Sequence, residues 1–96
     1  MSQTVLEPRS TDDSILGNRW MVVIHDNPIN SMDEVVDILM EATQCDIEEA
    51  SIEMWEAHTF GKAPVYFHPD RSECLRVAAV ISSIGIKTEV SPEWND

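Results

Sequence analysis

Ninety-six residues suffice for one domain with a modest core and are too few for two. The apolar fraction of 43% argues against wholesale disorder. Eighteen acids against six bases give a formal charge of −12, which repels phosphate backbones and anionic lipid and so disfavours nucleic-acid or membrane-surface binding. The same charge serves solubility and suits a cationic partner, such as a peptide amino terminus or a basic protein patch.

No apolar run approaches the roughly 20 residues that span a bilayer. The amino terminus lacks the basic head and apolar centre of a secretory signal. Cys45 and Cys74 have no Cys or His close by in sequence, so reduced thiols are expected rather than a structural disulfide. These features predict a cytoplasmic protein.

Residues 1–18 are polar and aperiodic, which predicts a flexible tail ahead of a domain spanning 19–96. Trp20 to Ile24 is apolar and β-branched, the pattern of a buried strand. Asp26 to Asn30 carries Asn27-Pro28 and reads as a loop. Ser31 with Glu34 fits a capping box. The helix it opens carries Met32, Val35, Val36, Leu39 and Met40 on one stripe and runs to about Thr43. Asp46 with Glu49 suggests a second capping box, for a helix through Phe60 with Ile47, Ala50, Met54 and Ala57 inward. Gly61 suits a left-handed stop.

Lys62 to Phe67 reads as a second strand, and Pro64 marks it as an edge or bulged strand because proline lacks a donor. Pro69 suits the first turn of a third helix, about Asp70 to Ser83, with Cys74, Val77, Ala78 and Ile81 inward and Gly85 at its end. Ile86, Thr88 and Val90 alternate with polar residues as a last strand. The expected fold is a two-layer α/β (α+β) domain ordered strand-helix-helix-strand-helix-strand, with three helices on one face of a three-stranded sheet.

Two segments concentrate the chemistry. Met54, Ala57 and His58 stand at i, i+3 and i+4 and share a helical face. The loop His25-Asp26-Asn27-Pro28-Ile29-Asn30-Ser31-Met32 adds a carboxylate, two amides and a methionine. Asp26 and a neutral His58 are acceptors, and converging acceptors without a nearby Lys or Arg suit an ammonium group. Met32 and Met54 are flexible and polarizable, so they can line a hole for several apolar side chains. An amine beside an apolar side chain is the start of a peptide. Taken singly, these residues also fit blander roles. A histidine at a helix end caps the dipole, and methionines at helical spacing fill cores, the role assigned to Met40. His25, His58 and His68 with Asp26 lack close ligand spacing for a metal. Trp20 and Trp94 read as packing residues, and Trp55 as a partner contact on an outer helix face. No serine elbow, phosphate-binding glycine loop or reactive-cysteine context is present, so neither an enzyme nor a cofactor is expected.

The stretch MVVIHDNPINSMDEVV, the motif Met54-Trp55-Glu56-Ala57-His58 and the following Gly61-Lys62-Ala63 resemble the ClpS family. These proteins are adaptors that deliver N-degron substrates to Clp-family AAA+ unfoldases. The resemblance covers roughly residues 19–91 and implies the same element order. By position it implies that Asp26, at a usual asparagine, Asn27, at a usual aspartate, and His58 hold the α-amino group. It places Asn30 at the pocket wall, Met32 as a screen against β-branched side chains, Met54 as lining and Ile86 as the closing residue. Ala57 replaces a larger aliphatic residue, which deepens the hole toward bulky aromatics. Arg71-Ser72-Glu73-Cys74 differs from the acidic, alanine-rich helix start that docks the unfoldase.

The resulting expectation is a monomeric, non-enzymatic adaptor. It captures N-terminal Leu, Phe, Tyr or Trp and partners the N-terminal domain of a Clp unfoldase, with the tail engaging the unfoldase at hand-off. The alternative is an acidic protein–protein module or unfoldase regulator of the same fold without amine recognition.

Overall fold

A computed structural model describes residues 19–93 of the chain. The expected tail and Trp94 lie outside the described residues. The elements follow the order β1 (Trp20–His25), α1 (Met32–Thr43), α2 (Ile47–Phe60), β2 (Lys62–His68), α3 (Arg71–Ser82) and β3 (Thr88–Pro92). The sheet order is β2-β1-β3, with both pairs antiparallel. The most continuously apolar strand therefore lies in the centre.

Strand periodicity places the helices. Val22 and Ile24 alternate onto one face of β1 and join a single core with residues of all three helices. Leu39 of α1, Val77 and Ile81 of α3 and Ala50 of α2 are fully buried within it. Val23, between the two inward residues, is buried outside that cluster. Each large aliphatic side chain so placed contributes about 1.5–3 kcal/mol through burial. The α+β architecture, three helices over one face of three antiparallel strands, is as expected.

The edge reading of β2 holds on both counts. Among the described residues only β1 pairs with it, and the register skips Val65 between the Val22↔Tyr66 and Val23↔Pro64 pairs. Pro64 sits beside this irregularity, where a missing N–H costs little.

Capping explains the helix limits. Ser31 and Glu34 form the full capping box of α1. Asp46 accepts from the Glu49 amide, whereas α2 lacks the return bond and so has half of the expected box. Asp70 caps α3 by accepting from the Ser72 amide. Pro69 therefore lies outside the helix rather than in its first turn. Gly61 ends α2 at φ 91°, the left-handed stop expected of it. Gly85 is also left-handed, at φ 96°, but follows the end of α3 rather than capping it.

One inward assignment was misplaced. Ile47 is 60% exposed, because the first turn of α2 extends past the sheet-facing cluster. Met32 is 57% exposed at the start of α1, over a pocket rather than within the core. Glu53 is instead buried on α2, at 6% exposure. Ile86 is buried just ahead of β3, not in the strand itself.

Candidate functional site

The end of β1, the end of α2 and the segment before β3 are tied together by their backbones. The Asp26 N–H donates to the Gly61 carbonyl at 2.9 Å, and the His25 N–H donates to the Lys87 carbonyl at 3.0 Å. The first bond follows from the glycine stop, which turns the chain at the end of α2 back alongside the β1–α1 loop. These two bonds set three walls around one pocket, with the start of α1 closing a fourth side.

The pocket holds about 340 Å³ of space between atoms, its open mouth included, at the small end of ligand sites. Ile24, Val35, Ala57 and Ile86, all buried, form an apolar floor. Met54 is half-buried and Met32 exposed along the sides. At the mouth stand Asp26, Asn27, Asn30 and His58. All eight residues singled out from the sequence thus line the same cavity.

Polar groups at the mouth are held differently. His58 Nδ1 lies 3.4 Å from Asp26 Oδ1, with side chains 62% and 40% exposed respectively. A pair this open to water retains unsatisfied hydrogen-bonding capacity toward an incoming group. Asn27 is committed to its own loop. Its Oδ1 accepts from the Ile29 amide at 2.8 Å and the Asn30 amide at 3.3 Å, and its Nδ2 donates to Asn30 Oδ1. This is an Asx turn, a favoured use of asparagine before proline. Both lone pairs of its carbonyl are occupied, so Asn27 organises the loop that presents Asp26.

Asn30 extends the network, donating through Nδ2 to Glu34 Oε1 at 3.3 Å. The same carboxylate accepts from the Ser31 amide at 2.9 Å. That backbone bond, followed by the Asn30 side chain, holds the Glu34 carboxyl below its ordinary range. The capping box therefore anchors the pocket wall as well as the helix.

Ile24, Val35 and His25 are pocket residues that the sequence analysis did not single out. Strand alternation carried the signal for Ile24, two positions before Asp26, and helical spacing the signal for Val35, three after Met32. The three histidines do not converge. His25 closes one end of β1 opposite Lys62, whereas His68 lies opposite Trp20 at the other end. The His68 Nδ1 accepts from the Asp70 amide at 2.9 Å. Among the described residues, no group of three or more His, Cys, Asp or Glu side chains is arranged to hold a metal ion. No described helix is long and apolar enough to cross a membrane.

A small α+β domain with an open, acceptor-rimmed and apolar-floored pocket has the form of a ligand-binding module. The family model of the ATP-dependent Clp protease adaptor protein ClpS matches residues 17–87, and the chain belongs to this family. Its members are adaptors rather than enzymes. Among solved structures, the chain is similar to Agrobacterium tumefaciens ClpS2 bound to L-phenylalaninamide, at 18% identity and a TM-score of 0.68. That match covers 78% of this chain and 99% of the other, and it establishes a shared fold. No curated protein sequence matches the chain.

Proposed function

We propose that this protein binds the free amine and bulky hydrophobic first residue of N-degron substrates, with Leu, Phe, Tyr or Trp at that position, and delivers them to a Clp AAA+ unfoldase. The observation carrying this reading is the Asp26–His58 pair above the floor formed by Ile24, Ala57 and Ile86. Carboxylate and imidazole accept from the ammonium, while the side chain below it displaces water from apolar surface. Met32 and Met54 close around that side chain, and Asn27 and Asn30 hold the loop rigid. The pocket lining includes no Lys or Arg to repel the amine. The relative ClpS2 was solved with a ligand that has a free α-amine beside an aromatic side chain, the same pair of features.

The magnitudes are adequate. Burial of one Leu or Phe side chain contributes about 1.5–3 kcal/mol, and each hydrogen bond to a charged group adds about 1.5–3 kcal/mol. After ordering costs, affinity on the order of micromolar follows.

A peptide panel with all twenty first residues, each free and acetylated, tests the proposal. Free-amine peptides beginning with Leu, Phe, Tyr or Trp should bind, and their acetylated forms should not. Equal binding of both forms sinks the amine-capture reading. Strong salt dependence in that case would favour an acidic interaction module. Delivery is tested by degradation of a Phe-initiated reporter by a purified Clp unfoldase–protease with and without this protein; no acceleration overturns it.

A further inference from the structure

A second groove runs between α2 and the edge strand β2, on a different face of α2 from the pocket. It holds about 960 Å³ of space, open side included. Glu49, Glu53 and Glu56 line it, at i, i+4 and i+7 on one helical stripe. Glu53 is the unusual member. Its side chain is more than nine-tenths buried, and among the described residues no hydrogen bond reaches its Oε1. Unpartnered buried carboxyl oxygens are costly, and the residue that carries this one lines the groove.

Among the described residues that line the groove, none neutralises the stripe. Arg19 is the one Lys or Arg among its lining residues, and its Nε and Nη2 both bond to Glu93 at 2.8 Å. The guanidinium of Arg19 also lies 4.8 Å from the ring centroid of Phe67, which lines the same groove. The wall thus already accepts a planar cation on an aromatic face. The described acids are not arranged to hold a metal ion, so the complementary cation must bring its own hydrogen-bond donors.

We propose that the α2–β2 groove binds an arginine side chain from a peptide segment of a partner protein, its guanidinium donating to Glu53 and Glu49 with Glu56 alongside. An arginine suits the site better than a compact ammonium because its fork spans two carboxyl groups and its plane stacks on aromatic rings.

Proton release gives this site a distinct signature. Burial foremost, then the neighbouring carboxyls of Glu49 and Glu56, push the Glu53 carboxyl up to about 9. The other titratable or charged groups facing the groove are Tyr66 from β2, Arg19 ahead of β1 and Cys45 ahead of α2. With no cation against it, Glu53 carries its proton at neutral pH. An adjacent guanidinium favours the ionised form, so binding releases that proton and strengthens as pH rises.

The test uses acetyl-Gly-Gly-Arg-Gly-Gly-amide, with a citrulline peptide as the neutral control. Blocking the amine keeps both out of the proposed amine pocket, so this outcome is separate from that of amine capture. In ¹⁵N-labelled protein, the arginine peptide should shift resonances of residues 49–56 and 64–67. It should bind at least about fivefold tighter than the citrulline form. Glu53→Gln should weaken it about fivefold and abolish proton release in calorimetry run in two buffers. A folded spectrum of that variant establishes that the loss is local.

Glu49→Gln/Glu56→Gln should cost about tenfold, whereas Asp37→Asn/Glu41→Gln, an equal change in charge on α1, should cost no more than about twofold. Equal binding of the citrulline peptide overturns the proposal. So does an equal loss in the two double variants, which would assign the attraction to net charge alone.

Discussion

His58 Nδ1, in the last turn of α2, lies 3.4 Å from Asp26 Oδ1, just past the end of β1. The backbone bond from Asp26 N–H to the Gly61 carbonyl fixes this approach, so the pair depends on the turn following α2. It forms the proposed amine seat. His58→Ala or Asp26→Ala should weaken free-amine Phe peptides about 10- to 100-fold, the equivalent of one charged hydrogen bond. The double variant should lose less than the sum, because both groups serve one ammonium. Fluorescence anisotropy with free and acetylated peptides measures this, and equal losses for the two forms would count against the seat.

Side-chain preference should reside in the floor. Ala57 is buried and lines the pocket, so Ala57→Val adds volume at its base. Trp and Phe peptides should lose more affinity than Leu peptides, with a stability cost of about 1–3 kcal/mol from overpacking. Met32, exposed at the side, should act on shape instead. Met32→Ala should admit Ile- and Val-initiated peptides, and the same peptide panel reads both effects.

Glu53 should make stability fall as pH rises. Its folded-state value of about 9 lies above the ordinary 4.5, so between those limits the folded chain keeps a proton that the unfolded chain has lost. The contribution is fully present below the ordinary value and is lost as pH climbs toward the folded one. Glu53→Gln should remove this slope between about pH 5 and 9, as measured by denaturant unfolding at several pH values. Glu34, Asp70, Glu73 and Glu93 are shifted downward. Their contributions have the opposite sign and fade as the medium becomes acid.

Gly61 should be needed for its backbone alone. Its φ is 91°, and a Cβ there would meet nothing within 4 Å. Gly61→Ala should therefore cost about 1–2 kcal/mol through left-handed strain rather than a clash. A melting temperature lower by about 4–8 °C per kcal/mol would register it. Because Gly61 also receives the Asp26 amide, amine binding should weaken in the same variant.

Most elements were readable from local pattern. Apolar periodicity located the inward faces of α1 and α3, and Ser31, Asp46 and Gly61 marked helix limits through caps that involve neighbours only. Pro64 announced an edge or bulged strand because a missing donor is tolerable at either place. The same reasoning misjudged Ile47. Its spacing is that of a core residue, but the first turn of a helix projects beyond what it packs against. Pro69 was misplaced for a related reason, since Asp70 competes for the cap.

Asp26, Asn30, Met32, Met54 and His58 carried their chemistry openly in the sequence, and the resemblance to a family brought them together. Their distances did not follow from it. Residues of the β1–α1 loop and the end of α2 meet because antiparallel β1 and β2 set the start of β2, and with it Gly61, beside Asp26. The occupied lone pairs of Asn27 and the buried carboxyl of Glu53 likewise emerged only from packing. Helix and strand formation depend on near neighbours, which a linear order specifies. Hydrogen-bond occupancy and desolvation depend on whatever the folded chain brings close, and that is a property of three dimensions.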